Sequence, residues 1–242
     1  MNALRYLKWR LTHELPASRV LLTVVLMGLF SFSLIHPFLN IVQNLGTRVT
    51  PFAYPFVVNN PVTRLAMLCV ALVLAVGGCL RQETHILMLR KFGKRGLMGG
   101  TILYMLVTIL TFQLLVICFS IIWLLPVTTW TLEWGTGWKL LSDPSMSSGF
   151  HKVFLPSARL IDRATAMGTF TIALLMDSAM LLLIWLILET CSLRGHSFLG
   201  PISSMVILVM DIALYNTFPV AFRKASPVSL TMLDSVYTRI VI

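Results

Sequence analysis

Three acidic residues lie in or beside long apolar runs, at Asp177, Glu189 and Asp211. They are the side chains of this sequence best suited to take part in chemistry. A charge at the bilayer centre costs at least about 2.5–3.5 kcal/mol on insertion scales. Asp177 is either part of a proton or cation path, or a structural residue hydrogen-bonded to Gln113 or a hydroxyl of another span. We favour the structural interpretation, although two aspartates on adjacent helices leave the path open. Glu189, near the predicted inner boundary, is expected to reach water.

The sequence contains none of the common motifs for nucleotide binding, metalloprotease chemistry or serine hydrolysis. It lacks a GxxxxGK[ST] phosphate loop, an HExxH pair and a GxSxG turn. The histidines are scattered over different segments, at His13, His36, His85, His151 and His196. We therefore expect no enzymatic activity, no bound cofactor and no metal site in this chain.

The composition identifies an integral membrane protein. Of the 242 residues, 57% are hydrophobic and 12% are charged, against roughly 25% charged in a soluble domain. A soluble core of this size cannot hide that much apolar surface. The net charge is +10, but the sequence predicts no soluble domain on which these basic residues could form a patch for nucleic acid. Nucleic acid is therefore not an expected partner.

Uncharged runs define the membrane-spanning helices, because a helix needs about 20 mostly apolar residues to cross the bilayer. Apolarity on all faces argues against the alternating strands of a barrel. The sequence predicts an all-α bundle of five to six spans that forms one transmembrane domain, residues 1–242. Five spans are predicted near residues 19–36, 62–80, 98–126, 164–190 and 198–218.

The distribution of Lys and Arg predicts a cytoplasmic N-terminus. The segments 1–19, 81–97 and 191–197 are about twice as dense in these residues as the other loops, as the positive-inside rule requires of inner segments. Residues 1–16 are predicted to form an interfacial elbow helix, the alternative being a frayed basic tail. In that helix, an apolar stripe (Leu4, Leu7, Leu11, Leu15) faces the membrane, and three polar residues (Arg5, Arg10, His13) point away.

The outer loop, residues 127–163, is too short to form a domain. Trp130, Trp134 and Trp138 recur every four residues, so a short helix would place them on one face. We interpret this face as an anchor in the aromatic belt of the membrane interface, and a ligand-stacking platform as the alternative.

The inner segment 81–97 has more structure than a simple basic loop needs. It begins with polar residues, continues as a short helix whose Ile86, Leu87 and Leu89 are able to pack, and reaches Gly93, which can end that helix with a left-handed cap. A basic pair, Lys94 and Arg95, then leads into the third span.

This segment resembles the loop between spans two and three in the permease subunits of bacterial type 2 ABC exporters. In that family an elbow helix precedes the first span, and the loop forms a short coupling helix. Met88–Arg95 is similar to the Leu-Arg-Phe-Gly-Ser-Arg-Arg stretch of a branch of short permeases. The matching positions are Glu83, Thr84, Leu87, Arg90, Gly93, Lys94 and Arg95.

The resemblance implies a membrane-embedded half of an exporter in the bacterial plasma membrane. A separate ATPase subunit would bind ATP and Mg²⁺ and would dock on Glu83, Thr84, Leu87, Arg90, Lys94 and Arg95. A second permease chain, alike or related, would complete the path for an amphipathic peptide, lipid or drug. The family normally has six spans, whereas residues 228–242 are too short to cross the bilayer.

Two other functions remain open from the sequence. One is an ion- or proton-coupled carrier that uses Asp177 and Asp211, although no internal repeat with broken helices supports it. The other is a non-transporting membrane scaffold or sensor subunit. An ATPase reading frame beside the gene would favour the exporter over both.

Overall fold

The computed structural model describes residues 2–76, 82–142, 158–195, 198–217 and 233. Within these residues the protein is helical and contains no β-strand, which confirms the all-α prediction. The α-helices are α1 (Asn2–His13), α2 (Ala17–Asn44), α3 (Tyr54–Asn59), α4 (Pro61–Val76), α5 (Gln82–Leu124), α6 (Thr136–Leu141), α7 (Ala158–Arg163), α8 (Ala166–Leu193) and α9 (Leu199–Thr217).

Three of these helices are long and apolar enough to cross a membrane, so the protein is membrane-embedded. They are α2, the Ile86–Val127 stretch that contains most of α5, and α8. They coincide with the first, third and fourth predicted spans. The second and fifth predicted spans correspond to α4 and α9, whose apolar stretches Val62–Val76 and Leu199–Met210 are shorter.

Helix α2 continues well beyond the predicted end of the first span at residue 36. Pro37 lies inside the helix, where it removes one backbone hydrogen bond. The helix nevertheless reaches Asn44, because the turns after Pro37 are buried: Phe38, Leu39, Ile41 and Val42 belong to the hydrophobic core. Tertiary packing outweighs the local cost of the proline.

Helix α5 is two helices joined at Gly93. This residue has φ 72° and ψ 163°, a combination that only glycine adopts without strain. The prediction that the short inner helix ends at Gly93 is confirmed. The backbone at Gly93 is more extended than in a left-handed cap, because its ψ is 163°. Residues 82–92 therefore form a separate short helix ahead of the long apolar one.

The tryptophans of the outer loop do not share a helical face. Trp138 lies in α6 and is fully buried, Trp134 precedes the helix and is also buried, and Trp130 is 69% exposed. The indole N–H of Trp134 donates to the carbonyl of Ala164 at 2.7 Å, and that of Trp138 to the carbonyl of Thr50 at 2.9 Å. The prediction that these two tryptophans anchor the protein in the aromatic belt of the membrane interface is wrong. Each indole is stable inside the core because its N–H group donates to a backbone carbonyl.

Candidate functional site

Arg10 of α1 is the centre of a buried cluster that we call the elbow cluster (Arg10, Glu14, Glu189). Its guanidinium donates to both carboxylate oxygens of Glu189 in α8, at 3.1 Å each. Its Nε donates to Oε2 of Glu14 at 2.6 Å. The guanidinium carbon also lies 4.3 Å from the centre of the Tyr104 ring in α5. One side chain of α1 thus binds groups on two long helices.

The elbow cluster corrects two predictions from the sequence. Arg10 does not point away from the protein with Arg5 and His13, since its side chain is fully buried. Glu189 does not reach water, because it is buried against Arg10 with 6% of its surface exposed. A forked guanidinium satisfies both oxygens of a carboxylate, and that pairing makes the burial of the two charges tolerable.

Glu14 is a second carboxylate beside a single guanidinium charge. Burial raises its pKa to about 7, although Arg10 opposes the shift. Arg10 itself has a raised pKa: burial would lower it, but Glu189 and Glu14 more than offset that effect. Arg10 therefore stays charged, and burial brings the pKa of Glu14 close to neutral pH.

Glycines at the start of the long part of α5 allow α1 to approach closely. A Cβ added at Gly96 would lie 2.9 Å from the Cβ of Asn2, and one added at Gly100 would lie 2.9 Å from the carbonyl oxygen of Ala3. The Gly96 and Gly100 spacing is the small-residue pattern that brings membrane helices together. A side chain at either position would therefore force α1 away from α5.

The short helix 82–92 packs on α1 and leaves an apolar patch exposed. Phe92 meets the Tyr6 ring edge-on with centroids 5.4 Å apart, and Met88 packs in the same small cluster. The remaining apolar side chains are exposed, at 49% for Ile86, 62% for Leu87 and 39% for Leu89. We call these three residues the apolar patch.

The charged positions singled out in the sequence flank the apolar patch along the chain. Arg90, Lys94 and Arg95 are exposed, Arg90 within the short helix and the other two after the break at Gly93. Glu83 and Thr84 are helical, and their side chains lie outside the described residues.

Asp177 belongs to a second buried group, the mid-span cluster (Tyr54, Gln113, Asp177, Ser178). Asp177 is fully buried within α8, and the hydroxyl of Tyr54 in α3 donates to its Oδ2 at 3.0 Å. The other carboxylate oxygen, Oδ1, accepts no hydrogen bond from the described residues. The fully buried Arg64 of α4 lies near enough to Asp177 for an electrostatic interaction.

Gln113 joins α5 to the mid-span cluster. Its amide nitrogen donates to the hydroxyl of Ser178 at 2.9 Å and to the carbonyl of Leu174 at 3.2 Å. The Gln113 side chain also lies beside the Asp177 carboxylate, as the sequence suggested. The hydroxyl that binds Asp177 comes from Tyr54, which lies outside every predicted span.

Asp211 is helical in α9, and its side chain lies outside the described residues. The route that a carrier would need between Asp177 and Asp211 therefore stays a hypothesis. Among the described residues, no group of three or more His, Cys, Asp or Glu side chains could hold a metal ion.

Sequence reasoning missed the elbow cluster because it assigned α1 by its leucines. The spacing of Tyr6, Arg10 and Glu14 places these residues on one helical face. The signal that could have revealed the cluster was the combination of charged residues on this face with an acidic residue at the end of a predicted span.

No protein-family model, curated protein or solved structure matches this chain.

Proposed function

We propose that this protein is the membrane-spanning permease subunit of an ATP-driven exporter of the type 2 ABC class. The observation that carries the proposal is the exposed apolar patch on a short helix that ends at Gly93 and packs on α1. A helix with an exposed apolar face and adjacent charges is a suitable docking element for a partner protein.

In this proposal the protein crosses the plasma membrane five or six times, with α1 as an interfacial elbow helix on the cytoplasmic side. A separate ATPase subunit binds ATP and Mg²⁺ and docks on the apolar patch through Leu87. Glu83, Thr84, Arg90, Lys94 and Arg95 fix its orientation by polar and charge pairing. A second permease chain completes the path for an amphipathic or hydrophobic substrate such as a peptide, lipid or drug.

The packing of α1 supports a mechanical route for the exporter. Movement of the short helix would pass to α1 through the contact of Phe92 with Tyr6. From α1 it would pass to α8 through the Arg10–Glu189 pair. The long helices would then tilt as rigid bodies, in the manner of hinge and shear transitions.

Leu87→Asp tests this function directly. A buried, unpaired carboxylate in the contact would abolish binding of the ATPase, while Leu87 is already exposed in the permease. We expect normal membrane insertion, loss of co-purification of the ATPase and loss of stimulated ATP hydrolysis. Leu132→Asp is the matched control, because Leu132 is 74% exposed in the outer loop.

A Leu87→Asp protein that keeps its ATPase and full transport would exclude the short helix as the docking element. The exporter proposal would then lose its main support.

The mid-span cluster favours one alternative function, an ion- or proton-coupled carrier. Its supporting observation is the fully buried Asp177 carboxylate, one oxygen of which accepts no hydrogen bond from the described residues. The carrier requires transport without an ATPase, together with loss of transport in Asp177→Asn at normal expression.

A further inference from the structure

An open cavity of about 650 Å³ lies where the first turn of α1 meets the break in α5. Its walls come from the two elements that also form the small cluster of Tyr6, Phe92 and Leu97. Asn2 holds the two elements together by donating from its side chain to the carbonyl of Phe92 at 3.4 Å. The cavity is lined by Asn2, Ala3, Phe92, Gly93, Lys94, Arg95 and Gly96.

The lining combines two kinds of chemistry. Ala3, Phe92 and the glycines form an apolar wall, while Lys94 and Arg95 supply two exposed cations. A free phosphate ion would use the cations and gain nothing from the apolar wall. A ligand with an anionic group next to hydrocarbon would use both.

The place of the cavity along the chain fits such a ligand. Lys94 and Arg95 are the last charged residues before the uncharged run 96–132, so the cavity lies where the apolar part of α5 begins. In a membrane protein this is the level of the lipid headgroups. Basic pockets at this level are suited to acidic headgroups.

We propose that this cavity binds the headgroup of an anionic phospholipid. The phosphate lies between Lys94 and Arg95, and the glycerol and the first methylenes lie against Phe92 and Ala3. The bound lipid would fill the space between α1 and the break at Gly93. Lys94 and Arg95 are also among the residues proposed to orient the ATPase, so a bound lipid and a docked ATPase would share these two side chains. Lipid binding is measured on the purified chain without ATPase, so its failure is distinguishable from failure of the proposed function.

The test is lipid binding to the purified, delipidated permease in detergent, measured by native mass spectrometry with phosphatidylglycerol and with phosphatidylcholine. We expect wild type to prefer phosphatidylglycerol. In Lys94→Gln/Arg95→Gln that affinity should fall about 25-fold, since each basic residue near the surface contributes about fivefold. Lys94→Arg/Arg95→Lys keeps both charges and should keep the affinity.

The matched control is Arg5→Gln/Arg90→Gln, which removes two exposed cations from the same two elements but outside the cavity lining. Its effect should be well below that of the cavity variant. Equal losses in the two variants, or no preference for phosphatidylglycerol in wild type, would overturn the site. Displacement of the lipid by millimolar inorganic phosphate would show a simple phosphate site and would also overturn the proposal.

Discussion

The elbow cluster and the mid-span cluster each bury a carboxylate of α8, but they stabilise it in different ways. Glu189 receives two hydrogen bonds from the forked guanidinium of Arg10. Asp177 receives one from the neutral hydroxyl of Tyr54, and its Oδ1 accepts none from the described residues. The forked guanidinium binds the Glu189 carboxylate at two points, which adds geometric specificity to charge-assisted hydrogen bonds, whereas Asp177 is held by one hydroxyl and by its electrostatic interaction with Arg64.

The two clusters also join different parts of the chain. The elbow cluster connects α1 to the end of α8, and Thr101 of α5 accepts a further bond from Arg10 at 3.3 Å. The mid-span cluster connects α3, α5 and the middle of α8. The first therefore fixes α1 to two long helices, whereas the second fixes α3, which lies outside every predicted span, to α5 and α8.

The largest effect is expected from breaking the Arg10–Glu189 pair. Arg10→Met leaves Glu189 as a buried charge, which costs about 3–5 kcal/mol, whereas replacing both partners by apolar residues is often neutral. We therefore expect a large fall in the melting temperature for Arg10→Met and for Glu189→Leu. The double variant should recover most of the loss, as measured by thermal unfolding in detergent.

Arg5→Met is the control for that experiment, since Arg5 is exposed on the same helix. It should leave the melting temperature nearly unchanged. If the two single losses simply added in the double variant, Arg10 and Glu189 would not act as a pair.

A smaller effect is expected in the mid-span cluster. Asp177→Leu leaves the Tyr54 hydroxyl unpaired at a cost of about 1–3 kcal/mol, and adding Tyr54→Phe should recover that part of the loss, because removing both partners of a hydrogen bond is nearly neutral. The electrostatic interaction of Asp177 with Arg64 is lost in both variants. Asp177→Asn keeps an acceptor and should preserve the yield of folded protein and, under the proposed exporter function, transport as well. Loss of transport in Asp177→Asn at normal yield would favour the carrier.

The smallest effect concerns the proton of Glu14. Its pKa rises from 4.5 to about 7 on folding, so between these values the folded protein holds a proton that the unfolded chain has released. The resulting stability is complete below pH 4.5 and is lost as the pH rises through 7. We expect the melting temperature of wild type to fall from pH 5 to pH 8 relative to Glu14→Gln.

Glu133→Gln serves as the control, because Glu133 is exposed in the outer loop. This variant keeps Glu14, so its melting temperature should fall from pH 5 to pH 8 as that of wild type does. A wild-type curve parallel to that of Glu14→Gln would show that the pKa of Glu14 does not rise on folding.

The sequence predicted the long helices because insertion into a membrane depends on the apolarity of each segment alone. The apolar runs therefore identified α2, α5 and α8 as helices long and apolar enough to cross a membrane. Gly93 was predictable for a similar local reason, since its conformation is accessible to glycine without strain. The end of α2 could not be predicted from the sequence, because burial of the turns after Pro37 depends on neighbouring helices.

Only the tertiary structure decided which face of α1 turns inward and which groups meet Asp177. Three leucines of the stripe (Leu7, Leu11, Leu15) pack against the core, and the face of Tyr6 and Arg10 is buried as well. The sequence does not reveal that this polar face has a partner. The partner of Arg10 is 179 residues away and the partner of Tyr54 is 123 residues away. Burial of a charge is settled by the groups that surround it in space, whereas membrane insertion is settled along the chain, so the sequence determined the spans and the fold determined the clusters.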